Sequence, residues 1–212
     1  MSHHKRLSAE KPRAIRSKAQ RGFTIIETLA AILILTIGLV GMAALMSNMM
    51  ADSARSRYMS EAAMLASEKL EDLERYPATD PDVVVASGAV AGSLTTDETA
   101  TVTSNGSTDS VDYFDQIQLS SAGGTISETS SGKDASGNTN YTTISHAPDG
   151  SITSGVTTSA PPPGPDTLVF KRRWTIEKDA PVGGVRRITV LVTLTNPVVV
   201  QSVTFQMSMV RP

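Results

Sequence analysis

The hydrophobic positions of this 212-residue chain change their arrangement along its length. Residues 23–51 are almost wholly apolar and contain one charged side chain, Glu27. About 20 apolar residues in an α-helix span the roughly 30 Å hydrocarbon core of a bilayer. The first arrangement therefore predicts a membrane-spanning half of a long helix, with residues 29–46 at its centre.

Apolar residues then recur at helical spacing. They are separated by four, three, four and three positions, at Met59, Ala63, Ala66, Leu70 and Leu73. This spacing places them on one face of a helix. The pattern predicts that residues 52–77 form an amphipathic second half of the same helix, which ends at Pro77.

Beyond residue 168 the pattern changes to the alternation of β-strands. Segments 168–176, 185–195 and 198–210 predict an antiparallel β-meander over residues 168–212. Because side chains alternate across a strand, even-numbered positions from 168 to 194 should face the helix, and odd positions such as Arg173 and Arg187 should face water. The chain is therefore predicted to be α+β, with a long N-terminal helix packed on a C-terminal antiparallel meander.

Residues 78–167 are rich in Ser, Thr and Gly, and contain few large apolar side chains. They are interpreted as a variable, partly flexible region. Segments 83–85 and 111–119 are its candidate strands, and residues 120–160 are predicted to be an exposed loop.

Charge is distributed unevenly. Residues 1–22 hold seven basic side chains and one acid, so the rest of the chain holds 12 basic and 20 acidic side chains, a net charge of −8. Basic residues before an apolar span favour a cytoplasmic N-terminus. The pattern predicts a single-pass membrane protein with residues 1–22 as a signal segment, rather than a nucleic-acid-binding protein.

The segment Arg21-Gly22-Phe23-Thr24-Ile25-Ile26-Glu27 resembles the class III signal of type IV pilins and type II secretion pseudopilins. The resemblance implies that a prepilin peptidase cleaves after Gly22 and methylates the new N-terminus, Phe23. It also implies that Glu27 is the carboxylate used in assembly, where it pairs with the terminal amine of a neighbouring subunit. The implied partners are other major and minor pilins, the inner-membrane assembly platform and membrane lipid, and the assembled subunit would lie in a periplasmic or extracellular filament.

Two further segments resemble particular subfamilies. Residues 172–176 (RRWTI) and 186–190 (RRITV) are similar to the tails of pilus-modification minor pilins, the PilV class. Residues 37–41 (IGLVG) resemble that class and also the I-type pseudopilins. The favoured interpretation is a minor pilin that joins or initiates a type IV pilus. The alternatives are a type II secretion pseudopilin and a membrane-tethered adhesion or binding domain that does not polymerise.

No set of catalytic side chains is visible, and the chain is interpreted as a non-enzyme without metal or cofactor. It has no cysteine, and His146 is its only histidine outside the leader. The basic residues 171–173, 186 and 187 are a weak candidate for nucleic-acid binding, because alternation along the strands divides them between two faces. An arginine beside Trp174 is an alternative explanation, as a cation–π contact.

Overall fold

The structure, a computed structural model, describes residues 22–120, 124–133, 136–164, 166–196 and 202–212. The chain divides into two compact units between Ser47 and Asn48. Helix α1 (Ile25–Arg75) runs through both units, and the strands belong to the second. The described strands are β1 (Val90–Gly92), β2 (Thr99–Ser104), β3 (Ser107–Asp112), β4 (Phe114–Ser120), β5 (Ile126–Lys133), β6 (Thr139–His146), β7 (Ile152–Thr157), β8 (Thr167–Lys178), β9 (Arg186–Leu194) and β10 (Thr204–Arg211).

Eight of these strands form one antiparallel sheet in the order β10-β9-β8-β4-β5-β6-β7, with β1 paired beside β4 along the same edge of β8. Strands β2 and β3 form a separate two-stranded ribbon. The predicted α+β class is confirmed, as is the C-terminal meander, which corresponds to β8, β9 and β10. The predicted start of the last strand, residues 198–201, lies outside the described residues.

One hydrophobic core joins α1 to one face of the sheet. The helix contributes Ala62, Leu65, Ala66, Leu70 and Leu73, and the sheet contributes the buried even-numbered residues Phe170, Trp174, Ile176, Ile188, Val190, Val192 and Leu194. Full burial of each large aliphatic side chain is worth about 1.5–3 kcal/mol. The predicted alternation is therefore confirmed, and Arg173 and Arg187 lie on the opposite face with partly exposed side chains.

The prediction that residues 120–160 form a loop is wrong, because β5, β6 and β7 lie there. Backbone hydrogen bonds join these strands to β4 and to one another. Hydroxyl pairs also cross between β5 and β6, at 2.7 Å for Ser127–Ser145 and 3.0 Å for Thr129–Thr143. A strand whose two faces are both largely solvent-exposed needs no hydrophobic alternation, so the sequence pattern did not indicate these strands.

The candidate strand at residues 83–85 is also wrong. The backbone turns there, and the amides of Val83 and Val84 donate to the carbonyl of Asp80 at 3.1 and 2.8 Å. Val83 and Val85 are nevertheless buried in the core. Their apolar character therefore reflects burial and not strand geometry.

Helix α1 ends at Arg75, just before Pro77, and its final carbonyl groups are satisfied from a distant part of the chain. The guanidinium of Arg211, at the end of β10, donates to the carbonyl of Tyr76 at 2.9 Å and to that of Glu74. The last carbonyls of a helix have no intrahelical partner. This contact fixes the end of α1 to the edge strand of the sheet.

Candidate functional site

The start of α1 carries the residues of the predicted processing signal. Gly22, Phe23 and Thr24 precede the helix in non-helical backbone, and the Phe23 side chain is 81% exposed. The hydroxyl of Thr24 accepts a hydrogen bond from the amide of Glu27 at 3.3 Å. Thr24 is therefore the N-cap of α1, three residues before Glu27, which is the spacing of a capping box.

Glu27 lies in the first turn of α1 and is exposed. A carboxylate at this position interacts favourably with the positive end of the helix dipole. The structure thus brings Thr24 and Glu27 together at the helix start. The capping role of Thr24 was missed in the sequence, although the Thr-x-x-Glu spacing was present to indicate it.

The helix after this start has an uncovered apolar surface. Its large aliphatic side chains from Ile25 to Met50 are exposed, and its most apolar part has no buried residue. Among the described residues, α1 is the one helix long and apolar enough to cross a membrane. The helix and the signal before it together indicate membrane anchoring.

A second cluster consists of charged side chains and lies within the second compact unit, between α1 and the sheet. Arg172 of β8 is 1% exposed, and its Nε and Nη2 each lie 2.7 Å from an oxygen of the buried Asp115 carboxylate in β4. Glu128 of β5 accepts a further hydrogen bond from Nη2. This bidentate geometry is the strong form of an arginine–carboxylate pair.

Helix α1 joins the same cluster through Lys69. Its Nζ lies 3.3 Å from Oδ2 of Asp115 and 4.3 Å from the ring centroid of Trp174. The expected cation–π partner of Trp174 was an arginine, but the structure places this lysine over the ring. Helix and sheet are therefore connected by the ion pair of Lys69 and Asp115 in addition to their hydrophobic contact.

The pKa values of the two carboxyl groups in the cluster are shifted in opposite directions. Burial alone would raise the pKa of Asp115, but the charges of Arg172 and Lys69 outweigh it and hold that pKa below its usual range. For Glu128, burial raises the pKa, and the attraction of Arg172 does not cancel the effect. Asp115 is therefore the permanent counter-ion of Arg172, and Glu128 is the weaker partner.

The other basic residues of the sheet have separate partners. Lys171 and Arg173 both contact Asp97, at 2.6 and 2.9 Å, and Arg187 contacts Glu177. The predicted division of the basic group between two faces is confirmed by the register of β8 and β9. The acidic partners of Arg172 were missed, because they lie 57 and 44 positions away and no local pattern marks them.

A groove of about 540 Å³ opens over the ion cluster. One side is the last two turns of α1, and the other side is formed by β3, β5 and β6. Its lining holds seven acidic and three basic side chains, a formal net charge of −4: Glu68, Glu71, Asp72, Asp82, Asp112, Asp115 and Glu128, with Lys69, Arg75 and Arg172.

Residues 17–43 match the family described as the prokaryotic N-terminal methylation motif. The match contains the leader–helix junction and most of the apolar part of α1, and it supports a type IV pilin-like family. No curated protein and no solved structure is significantly similar to the chain. The motif is typical of structural subunits.

Proposed function

We propose that this chain is a minor pilin, stored in the inner membrane and then inserted into a type IV pilus, or used to initiate one. The match of residues 17–43 to the methylation motif is the observation that carries the proposal. The uncovered helix after Phe23 supports it, because such a surface needs lipid or neighbouring helices around it. In a filament of packed helices, neighbouring helices cover this surface in place of lipid.

Processing is the first step of the proposed route. A prepilin peptidase removes residues 1–22 on the cytoplasmic side, cleaves after Gly22 and methylates Phe23. Residues 23–51 then anchor the subunit and residues 52–77 carry the head. The head consists of the variable region 78–167 and the meander 168–212. We test this with intact-mass spectrometry of protein from the native host, which should give a chain that begins at Phe23 with one added methyl group.

The proposed route makes the replacement Gly22→Leu informative. This variant should keep its leader, whereas Gly183→Leu, in an exposed turn outside the matched region, should be cleaved normally. An intact leader in wild-type protein from cells with an active prepilin peptidase would exclude the proposed function.

Glu27 is proposed to act after cleavage. Its carboxylate would pair with the Phe23 amine of a neighbouring subunit, since a carboxylate in a water-poor helix bundle needs a cationic partner. Glu27→Val should be cleaved normally but enter sheared filaments poorly. Thr24→Val removes the helix cap and leaves the carboxylate, so it separates the two roles of this turn. Equal loss of incorporation in both variants would show that Glu27 acts only by stabilising the helix start.

The assignment to the PilV class rests on the resemblance of residues 172–176 and 186–190. A type II secretion pseudopilin would share the processing signal, so a functional test is needed to distinguish a pilus subunit from a secretion subunit. Deletion of the gene should abolish or reduce piliation and leave type II secretion intact. Loss of secretion with normal piliation would favour the pseudopilin, and a chain that keeps its leader and stays out of filaments would favour a tethered binding domain.

A further inference from the structure

The helix-facing side of the sheet continues beyond the helix. Residues directly opposed in antiparallel strands point to the same side, and the register carries this face from Phe170 through Ile117 and Glu128 to Ile144. Over β8 and β9 the face is buried under α1. Over β5, β6 and β7 it is open, and four aliphatic side chains on it are exposed by 37–67%: Ile126, Ile144, Ile152 and Val156.

The open face adjoins the acidic groove. Ile144 belongs to both, since it lines the groove opposite Glu71 and Asp72 of α1. Burial first, and then neighbouring carboxylates, raise the pKa of Asp82 and the pKa of Tyr76. The surface therefore combines four exposed aliphatic side chains with a groove whose lining has a net negative charge.

Helix α1 has an uncovered stretch of the complementary kind. Between Asn48 and Arg57 nearly every residue is exposed, including Met49 and Met50 at 64% and 67%. Arg55 is exposed as well, and Arg57 is 76% exposed although it contacts Glu61 of the same helix. Two arginines oppose one acid, Asp52, so the stretch combines two exposed methionines with a net charge of +1.

We propose that the open face of β5–β7 and the acidic groove together dock residues 48–57 of α1 from a second copy of this chain. The neighbour's helix would lie beside the resident α1 on one sheet, as helices cover sheets in two-layer folds. The methionines would cover Ile144 and its neighbours, and Arg57, seven positions after Met50 and on the same side of the helix, would face Glu71 and Asp72. The contact joins two different surfaces and therefore propagates, as a filament requires. It rests on the proposed function and names one of its subunit contacts.

The absence of cysteine makes disulfide crosslinking between full-length copies a clean test. Two differently tagged copies are expressed in one membrane, one with Ser56→Cys and the other with Ser154→Cys. Ser154 opposes Ile144 on the open face, and Thr153 on the other face of the same strand supplies the matched control. We expect a mixed disulfide dimer with Ser154→Cys, at a yield about tenfold above that with Thr153→Cys. Equal yields, or no mixed dimer, would overturn the proposal.

Charge reversal provides the second arm. Arg57→Glu on the Ser56→Cys copy should lower the mixed-dimer yield about tenfold, which corresponds to about 1.4 kcal/mol. Glu71→Lys with Asp72→Lys on the other copy should restore it. A mixed-dimer yield that is unchanged by the charge reversals on either copy contradicts the charge pairing. Arg55→Glu, on the opposite side of the helix, is the matched control and should leave the yield unchanged. Leader cleavage is measured in the same samples: a cleaved chain without the specific dimer refutes the docking alone, and an uncleaved chain refutes the proposed function while the dimer still decides the docking.

Discussion

The two halves of the helix-facing side of the sheet carry similar aliphatic side chains and bury them very differently. Val190 and Val192 in β9 are fully buried, whereas Val156 in β7 is 67% exposed and Ile152 is 65% exposed. The register is continuous between the halves, so backbone geometry does not separate them. What differs is the presence of α1 above the strands. Burial in this fold therefore depends on what lies over a strand as much as on its residues.

The ion cluster lies at the boundary between the halves, and its disruption should have the largest effect. Arg172→Ala leaves Asp115 buried without its bidentate partner, which should lower the free energy of unfolding by about 3–5 kcal/mol. Urea unfolding of the full chain in detergent, followed by fluorescence of the single tryptophan, measures it. Arg173→Ala, on the other face, should cost no more than about 1 kcal/mol. Equal costs would mean that the buried cluster stabilises the fold no more than the partly exposed pair of Arg173 does.

Two glycines extend the comparison to the backbone. Gly92 in β1 has φ of +81°, and a Cβ there would lie 2.3 Å from the carbonyl oxygen of Trp174. Gly92→Ala should therefore cost about 2–4 kcal/mol. Gly155 in β7 has open space around it, so Gly155→Ala should stabilise by roughly 0.4–1 kcal/mol through the unfolded chain. Thermal unfolding followed by circular dichroism should move the two midpoints in opposite directions.

A pair of valines tests burial directly. Val190→Ala removes two methyl groups from the covered half and should cost about 2 kcal/mol. Val156→Ala makes the same change in the open half and should stay within about 0.5 kcal/mol. Urea unfolding of the uncrosslinked, dilute chain in detergent gives both values. A large effect at Val156 would show that β7 has a cover within its own chain.

The smallest expected effect concerns pH. The pKa of Asp115 is lowered in the fold, so its contribution to stability is present above about pH 4 and is lost as the pH falls through the folded value. The pKa of Glu128 is raised, so its contribution is fully present below about pH 4 and is lost as the pH rises through its folded value.

Glu128→Gln removes only the second dependence. Relative to wild type, this variant should gain stability as the pH rises from about 4 to 7, by no more than about 1 kcal/mol, and should keep the acid loss due to Asp115. Urea midpoints at several pH values provide the measurement. A variant that instead loses stability relative to wild type over this range would mean that the pair Arg172–Glu128 outweighs the burial of Glu128.

The sequence predicted those features that are written in short-range patterns. The 4-3-4-3 spacing through Ala66, Leu70 and Leu73 marked the buried face of α1, and the alternation after residue 168 gave the buried face of β8 and β9. The processing signal is also local, and residues 17–43 carry it. In each case the relevant residues lie within a few turns or strand positions of one another.

The remaining features depend on distant partners or on backbone pairing. Asp115 and Arg172 are 57 positions apart, and neither has a neighbour that identifies the other. Strands β5–β7 are held by backbone and hydroxyl hydrogen bonds, which leave no hydrophobic period in the sequence. The groove combines both cases, since its lining comes from α1 and five strands. No window of the sequence contains it.

The contact between Arg211 and the end of α1 sets an order of events during synthesis. Its acceptors, the carbonyls of Glu74 and Tyr76, precede it by 137 and 135 residues. At roughly 5–20 residues per second, about ten seconds separate the emergence of the helix from that of the arginine that caps it. Helices form in about a microsecond, so α1 waits with its apolar stripe uncovered for nearly all of that time.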